Sequence, residues 1–117
     1  MVEMSRQDFE SAVADALDQI PAKMTALIEN VVILVEDDPP PETPHLLGLY
    51  VGVPLTSRGR GYGFGNLPDR ITIFRNPMLR MCKTTDEVVK EVLVTVGHEV
   101  AHYFGISDHR LQELGWG

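Results

Sequence analysis

Two histidines four positions apart, His98 and His102, enclose a glutamate, Glu99, and an aspartate, Asp108, follows six residues after the second histidine. On a helix, side chains four apart project from the same face one turn from each other, so both imidazoles would address one point. A zinc ion takes nitrogen and oxygen ligands in a tetrahedron, and catalytic sites keep one position for water. Glu99 stands beside the pair without pointing with it, as a base for a metal-bound water whose pKa falls to about 7 requires. A turn at Gly105 lets the chain double back and bring Asp108 to the metal as a third ligand. A bare HExxH arises by chance in roughly one in a few hundred chains of this length, and the added glycine and aspartate make coincidence far rarer.

The element that must carry this group is marked at both ends. Thr84 and Glu87 have capping-box spacing, and Gly105 stands where a left-handed residue ends a helix near Phe104. At about 100° per residue, Val89, Leu93, Val96, Val100 and Phe104 form a core stripe, with Val92 and Tyr103 at its border. His98 and His102 fall on the other side, Glu99 lies between the two faces, and Gly97 and Ala101 make a small-residue edge.

Upstream, Ser5 and Asp8 open an amphipathic helix through Phe9, Val13, Ala16, Leu17 and Ile20. Pro21 closes it or starts a short second helix with Met24, Leu27 and Ile28. The β-branched run Val31–Val35 reads as a buried strand. EDDPPPETP follows as an extended surface loop, without the glycine and spacing of a calcium loop. Leu46–Val53 is a weaker strand, because Gly48 and Gly52 interrupt it. SRGRGYGFGN reads as a mobile loop with Arg58, Arg60, Tyr62 and Phe64, placed to flank a cleft as a lid. Arg70–Arg75 alternates as a strand with one solvated face, and a short helix is expected around Met78–Met81.

The chain has 117 residues, 44% apolar and 23% charged, which suits one domain spanning residues 1–117. Its net charge of −7 argues against a nucleic-acid partner. The charge is uneven: ten acidic and two basic side chains lie between Met1 and Pro44, but six basic and one acidic between His45 and Thr84. The middle third can thus offer a basic face to an acidic substrate or partner, or simply be solvated. A single cysteine, Cys82, rules out an internal disulfide and reads as a small buried hydrophobe. There is no basic start followed by an apolar run, and no stretch near the roughly 18 apolar residues needed for a membrane span. A cytoplasmic protein without a membrane partner is expected, and a homodimer is left open.

HEVAHYFGISD resembles the HExxHxxGxxD motif of the Asp-zincins, and the layout of an ITIFRNP strand before the motif-bearing helix resembles the minimal zincin-like metallopeptidase family of bacteria. The resemblance implies zinc on His98, His102 and Asp108, Glu99 as general base, and hydrolysis of peptide bonds in a peptide or protein substrate. It also implies that the substrate backbone pairs with an edge strand, for which Arg70–Arg75 and Leu46–Val53 are the candidates. Two departures stand out. The methionine turn that follows the metal helix in metzincins has no counterpart in HRLQELGWG, where Trp116 could form an apolar floor or simply pack. His109, next to Asp108, could itself be the third ligand, a partner of a ligand, or a proton donor. Tyr62, Tyr103 and His109 are candidates for stabilising the transition state, Tyr103 having packing as its alternative. The competing reading is a silent metal-binding or protein-interaction domain that retains the fold. The expected architecture is α/β (α+β), with a small mixed sheet of three or four strands packed on an N-terminal helix and the metal-bearing helix.

Overall fold

A computed structural model describes residues 1–59 and 67–113, apart from the side chain of Leu111. Tyr62, Phe64 and Trp116 lie outside the described residues. The elements run α1 (Arg6–Asp18), α2 (Ala22–Thr25), β1 (Val31–Glu36), β2 (Gly48–Val51), a 3-10 turn η1 (Leu55–Ser57), β3 (Asp69–Phe74), α3 (Arg75–Met81), α4 (Thr85–Tyr103) and α5 (Asp108–Glu113). This is the expected mixed α/β architecture, with three strands among the described residues.

The strand order is β1-β3-β2. β3 runs parallel to β1, pairing Ile33 with Ile71 and Val35 with Ile73. It runs antiparallel to β2, pairing Gly48 with Ile73 and Tyr50 with Ile71. The alternation of β3 sends Ile71 and Ile73 inward, at 1% and 0% exposed, while Arg70 stays in solvent. The run Val31–Val35 reads as a buried strand, but among the described residues β1 lies at the sheet edge. One of its faces reaches solvent, leaving Val32 39% and Leu34 38% exposed.

Helices α1 and α4 pack on one another, and α4 also lies on β2 and β3. Ser5 caps α1 by accepting from the Asp8 amide at 3.0 Å. Phe9, Val13 and Ala16 of α1 enter the core, where they meet Val88, Val92, Val96 and Val100 of α4. Those four valines are 2% exposed or less, and burying each contributes about 1.5–3 kcal/mol. The buried stripe of α4 is turned from the expected one. Val89 is 46% exposed, whereas Val88, Thr95 and Glu99 are buried: β2 crosses over Thr95 and Glu99 at Gly48, and Val88 joins the apolar core.

Helix α3 starts at Arg75, directly after β3, so Arg75 is a helix residue and not a strand end. Arg75 donates to Asp37 at 3.0 Å and to the Met4 carbonyl at 2.7 Å. Asn76 donates to Asp38 at 2.9 Å, and Arg6 donates to the Val35 carbonyl. The acidic end of the proline-rich loop is thereby fastened to both neighbouring helices.

Candidate metal centre

Helix α4 presents the site from a firmly capped frame. The Glu87 amide donates to the Thr84 hydroxyl at 3.1 Å, and the Glu87 carboxylate accepts from the Lys83 amide at 2.7 Å. At the other end Gly105 has φ +83°, a left-handed value suited to glycine. Its amide donates to the His102 carbonyl at 2.9 Å, and the Ile106 amide to the Ala101 carbonyl at 3.0 Å. This double closure is a Schellman motif, which ends the helix and reverses the chain.

The reversal returns Asp108 to the helix. One carboxylate oxygen, Oδ1, lies 2.9 Å from His98 Nε2 and 2.8 Å from His102 Nε2. The two imidazoles are 4.7 Å apart, centre to centre, and nearly perpendicular. Three donor atoms of types that zinc accepts thus converge on one point. Tetrahedral bonds of about 2.0–2.1 Å would set ligand atoms about 3.3 Å apart. The two nitrogen–oxygen separations need to open by only about half an ångström to receive such an ion, so the residues fit the group.

Glu99 is 6% exposed and turned toward β2. Its Oε1 is 3.0 Å from His102 Nδ1, a contact that fixes ring orientation and leaves Nε2 facing Asp108. Gly48 of β2 crosses directly over it. A Cβ at Gly48 would sit 2.7 Å from Thr95 Cγ2 and 3.1 Å from Glu99 Cγ. His98, Glu99 and His102 are also close enough to form a metal-binding group by themselves, with ligand atoms within 4.8 Å of one another.

The charges respond to this crowding. Burial alone would lower the pKa of His102, but the hydrogen bond to Asp108 and the negative charge of Glu99 outweigh it and hold the imidazole above its ordinary value. Hydrogen bonds from His102 and His98 hold the Asp108 carboxyl below its usual range.

Of the two candidate third ligands, Asp108 is the one brought to the histidines. His109 is 84% exposed and paired with Glu113 Oε1 at 2.9 Å. Tyr103 is 1% exposed, and its hydroxyl accepts from the Glu29 amide at 2.9 Å and lies 3.2 Å from the Leu27 carbonyl. It packs and does not offer that hydroxyl to a substrate. Of the two strands proposed for substrate pairing, β3 is central and has both edges occupied. β2 keeps an open edge among the described residues. A cavity of about 320 Å³ flanks the other side of α4, lined by Gly97, Ala101, Leu93, Ile20, Met24 and Ile106 among others.

Sequence reasoning missed Arg58. Read as part of a mobile glycine-rich loop, it is buried against Asp69, with side-chain exposures of 7% and 2%. Among the described residues, its hydrogen-bond partners are the nearby Val53 carbonyl and groups 11 or more residues away, which no local pattern announces. Among the described residues, no helix is long and apolar enough to cross a membrane.

A solved structure of a conserved hypothetical protein from Thermus thermophilus has a similar fold. Its TM-score is 0.59 at 20% sequence identity, over 95% of this chain and 97% of that one. No curated protein matches the chain. The profile of the zincin-like metallopeptidases matches residues 28–116, which include all of α4 and Asp108. The chain belongs to the zincin-like metallopeptidase family.

Proposed function

We propose that the protein is a zinc-dependent peptidase in which His98, His102 and Asp108 hold the ion and Glu99 is the general base. The observation that carries this reading is that both imidazole Nε2 atoms lie within 2.9 Å of one carboxylate oxygen of Asp108. Three protein ligands leave a fourth position for water, the arrangement of a catalytic site and not of a closed structural one. When bound, the metal supplies a Lewis acid for the scissile carbonyl and makes water acidic enough to lose a proton near neutral pH.

The remaining work falls to the chain. Glu99 sits one residue from the first ligand in a nearly dry setting, where a carboxylate can accept the proton of the attacking water and return it to the leaving amine. The open edge of β2 passes over Glu99 at Gly48, so a peptide added to that edge would run alongside the metal group. His102 Nδ1 stays on Glu99 while Nε2 faces the metal position, which fixes the tautomer that coordination requires.

That same contact favours a second reading. A carboxylate hydrogen-bonded to a ligand histidine also serves a protein that holds metal without hydrolysing anything. Zinc content and peptide cleavage of three proteins separate the two. The peptidase reading expects Glu99→Gln to keep zinc and lose cleavage, and His102→Ala to lose both. Zinc-loaded wild type that cleaves nothing in a broad peptide library moves the binding-domain reading ahead. Wild type that takes up no zinc near neutral pH overturns the metal assignment.

A further inference from the structure

A second polar cluster lies buried behind the C-terminal end of α4, and the proposed chemistry makes no use of it. Asp69 is 2% exposed. Its Oδ1 accepts from the Val53 amide at 3.1 Å. Its Oδ2 accepts from Arg58 Nη2 at 2.8 Å and from the Tyr50 hydroxyl. Arg58 also donates to the Val53 carbonyl at 2.9 Å and to the Glu29 carbonyl at 3.0 Å. Its guanidinium lies 4.9 Å from the centre of the Tyr103 ring. A buried ion pair is a weak source of stability, because desolvation offsets the attraction. The rigid fork of an arginine, satisfied on several sides, instead specifies geometry.

The geometry it specifies is that of residues 52–58. Gly52 passes so close to the carboxyl that a Cβ there would lie 2.1 Å from Asp69 Cγ. Val53 and Arg58, near the two ends of the segment, are both tied to Asp69. Between them η1 places Thr56 against the turn that ends α4. A Cβ on Gly105 would lie 2.3 Å from Thr56 Oγ1. Gly105 is three residues after His102 and three before Asp108. The side chain of Asp108 is 71% exposed, so burial does not set its position.

We propose that Arg58 and Asp69 are positioning residues for the third metal ligand. The buried pair locks residues 52–58, Thr56 then blocks the Gly105 turn from unwinding, and the turn delivers Asp108 to the two imidazoles. This rests on the reading of His98, His102 and Asp108 as the metal centre.

The test is a double-mutant cycle on zinc affinity, measured by competition with a chelating dye, with folding checked by circular dichroism. Arg58→Met and Thr56→Ala are each made with Asp108 intact and with Asp108→Ala. Loss of a residue that orients a ligand typically weakens metal binding by about 10- to 100-fold. Arg58→Met is expected to do so when Asp108 is present and to add nothing when Asp108 is absent. Its cobalt-substituted spectrum should match that of Asp108→Ala. Thr56→Ala, which leaves the ion pair intact, should act in the same direction and decides the matter if Arg58→Met does not fold. The inference is overturned if folded Thr56→Ala binds zinc as the wild type does. It is equally overturned if the variants weaken zinc by one factor in both backgrounds. In both cases the metal centre itself stands. Wild type without zinc affinity is a different result, which removes the centre and the inference together.

Discussion

Gly48→Ala tests how closely β2 is fitted to the metal helix. The added methyl would meet Thr95 Cγ2 at 2.7 Å, Glu99 Cγ at 3.1 Å and Glu99 Oε2 at 3.3 Å. Carbon atoms rest at about 3.5–4.0 Å, so the first contact falls short by about 1 Å. Thr95 is 6% exposed and β-branched, which leaves it few ways to yield. Overpacking of this kind costs about 1–3 kcal/mol. Replacing a strand glycine returns about 0.5–1 kcal/mol through the unfolded chain. Taken at their midpoints, these leave a net loss of about 1 kcal/mol, which for a domain of this size lowers Tm by roughly 3–6 °C.

Scanning calorimetry of metal-free protein measures this directly, and Thr95→Ser supplies the control because it deletes Cγ2, the nearest atom. The double variant should be less destabilised than the sum of the two single changes, by about 0.5 kcal/mol or more. A Tm for Gly48→Ala equal to or above that of the wild type would refute the reasoning. Strict additivity with Thr95→Ser would locate the strain elsewhere.

Two further outcomes follow from the capped helix and the charged cluster. Thr84→Ala removes the acceptor for the Glu87 amide and should cost about 1 kcal/mol; a denaturant midpoint unchanged from the wild type would contradict it. Zinc binding should weaken as pH falls. A ligand imidazole must be unprotonated, and the pKa of His102 is held above its ordinary value, so protons compete for it to higher pH than they would for a free imidazole. The contribution of His102 to the stability of the metal-free protein should respond in the opposite sense. A raised His102 contributes fully below the unfolded pKa near 6.5, and that contribution is lost as pH rises through the folded value. Asp108, held low, contributes above its unfolded pKa near 3.8, and its contribution is lost as pH falls through the folded value. Affinity titrations across about pH 5–8 and thermal melts across about pH 2–8 check these signs.

What the sequence disclosed depended on how local the cause was. The cap at Thr84, the glycine at 105 and the four-residue histidine spacing act within a few positions, so both ends of α4 and its metal face were legible. Asp108 was legible as a returning residue, because a helix-ending glycine implies reversal. The choice against His109 was not legible, since it depends on the direction in which α5 leaves the turn. Val31–Val35 carries the composition of a buried strand, but its place at the sheet edge is a property of strand order. Val89 and Val88 are equally apolar, and only the way the other elements pack around α4 decides which is buried. Arg58 was the least legible, because an arginine among glycines reads as solvated until Asp69 and the Glu29 carbonyl are brought to it. Where α3 begins was also hidden, as Phe74 offers no side-chain cap.

Helix α1 lies entirely before residue 28, where the family profile begins, yet Phe9, Val13 and Ala16 form one wall of the core under α4. Recognisable ancestry and the cooperative folding unit therefore have different boundaries in this chain. The side of α4 opposite the histidines rests partly on α1, so a change of side-chain volume at Phe9 can shift His98 and His102 without touching the motif. Substitutions outside the span of the profile are then a route by which the same centre could be tuned.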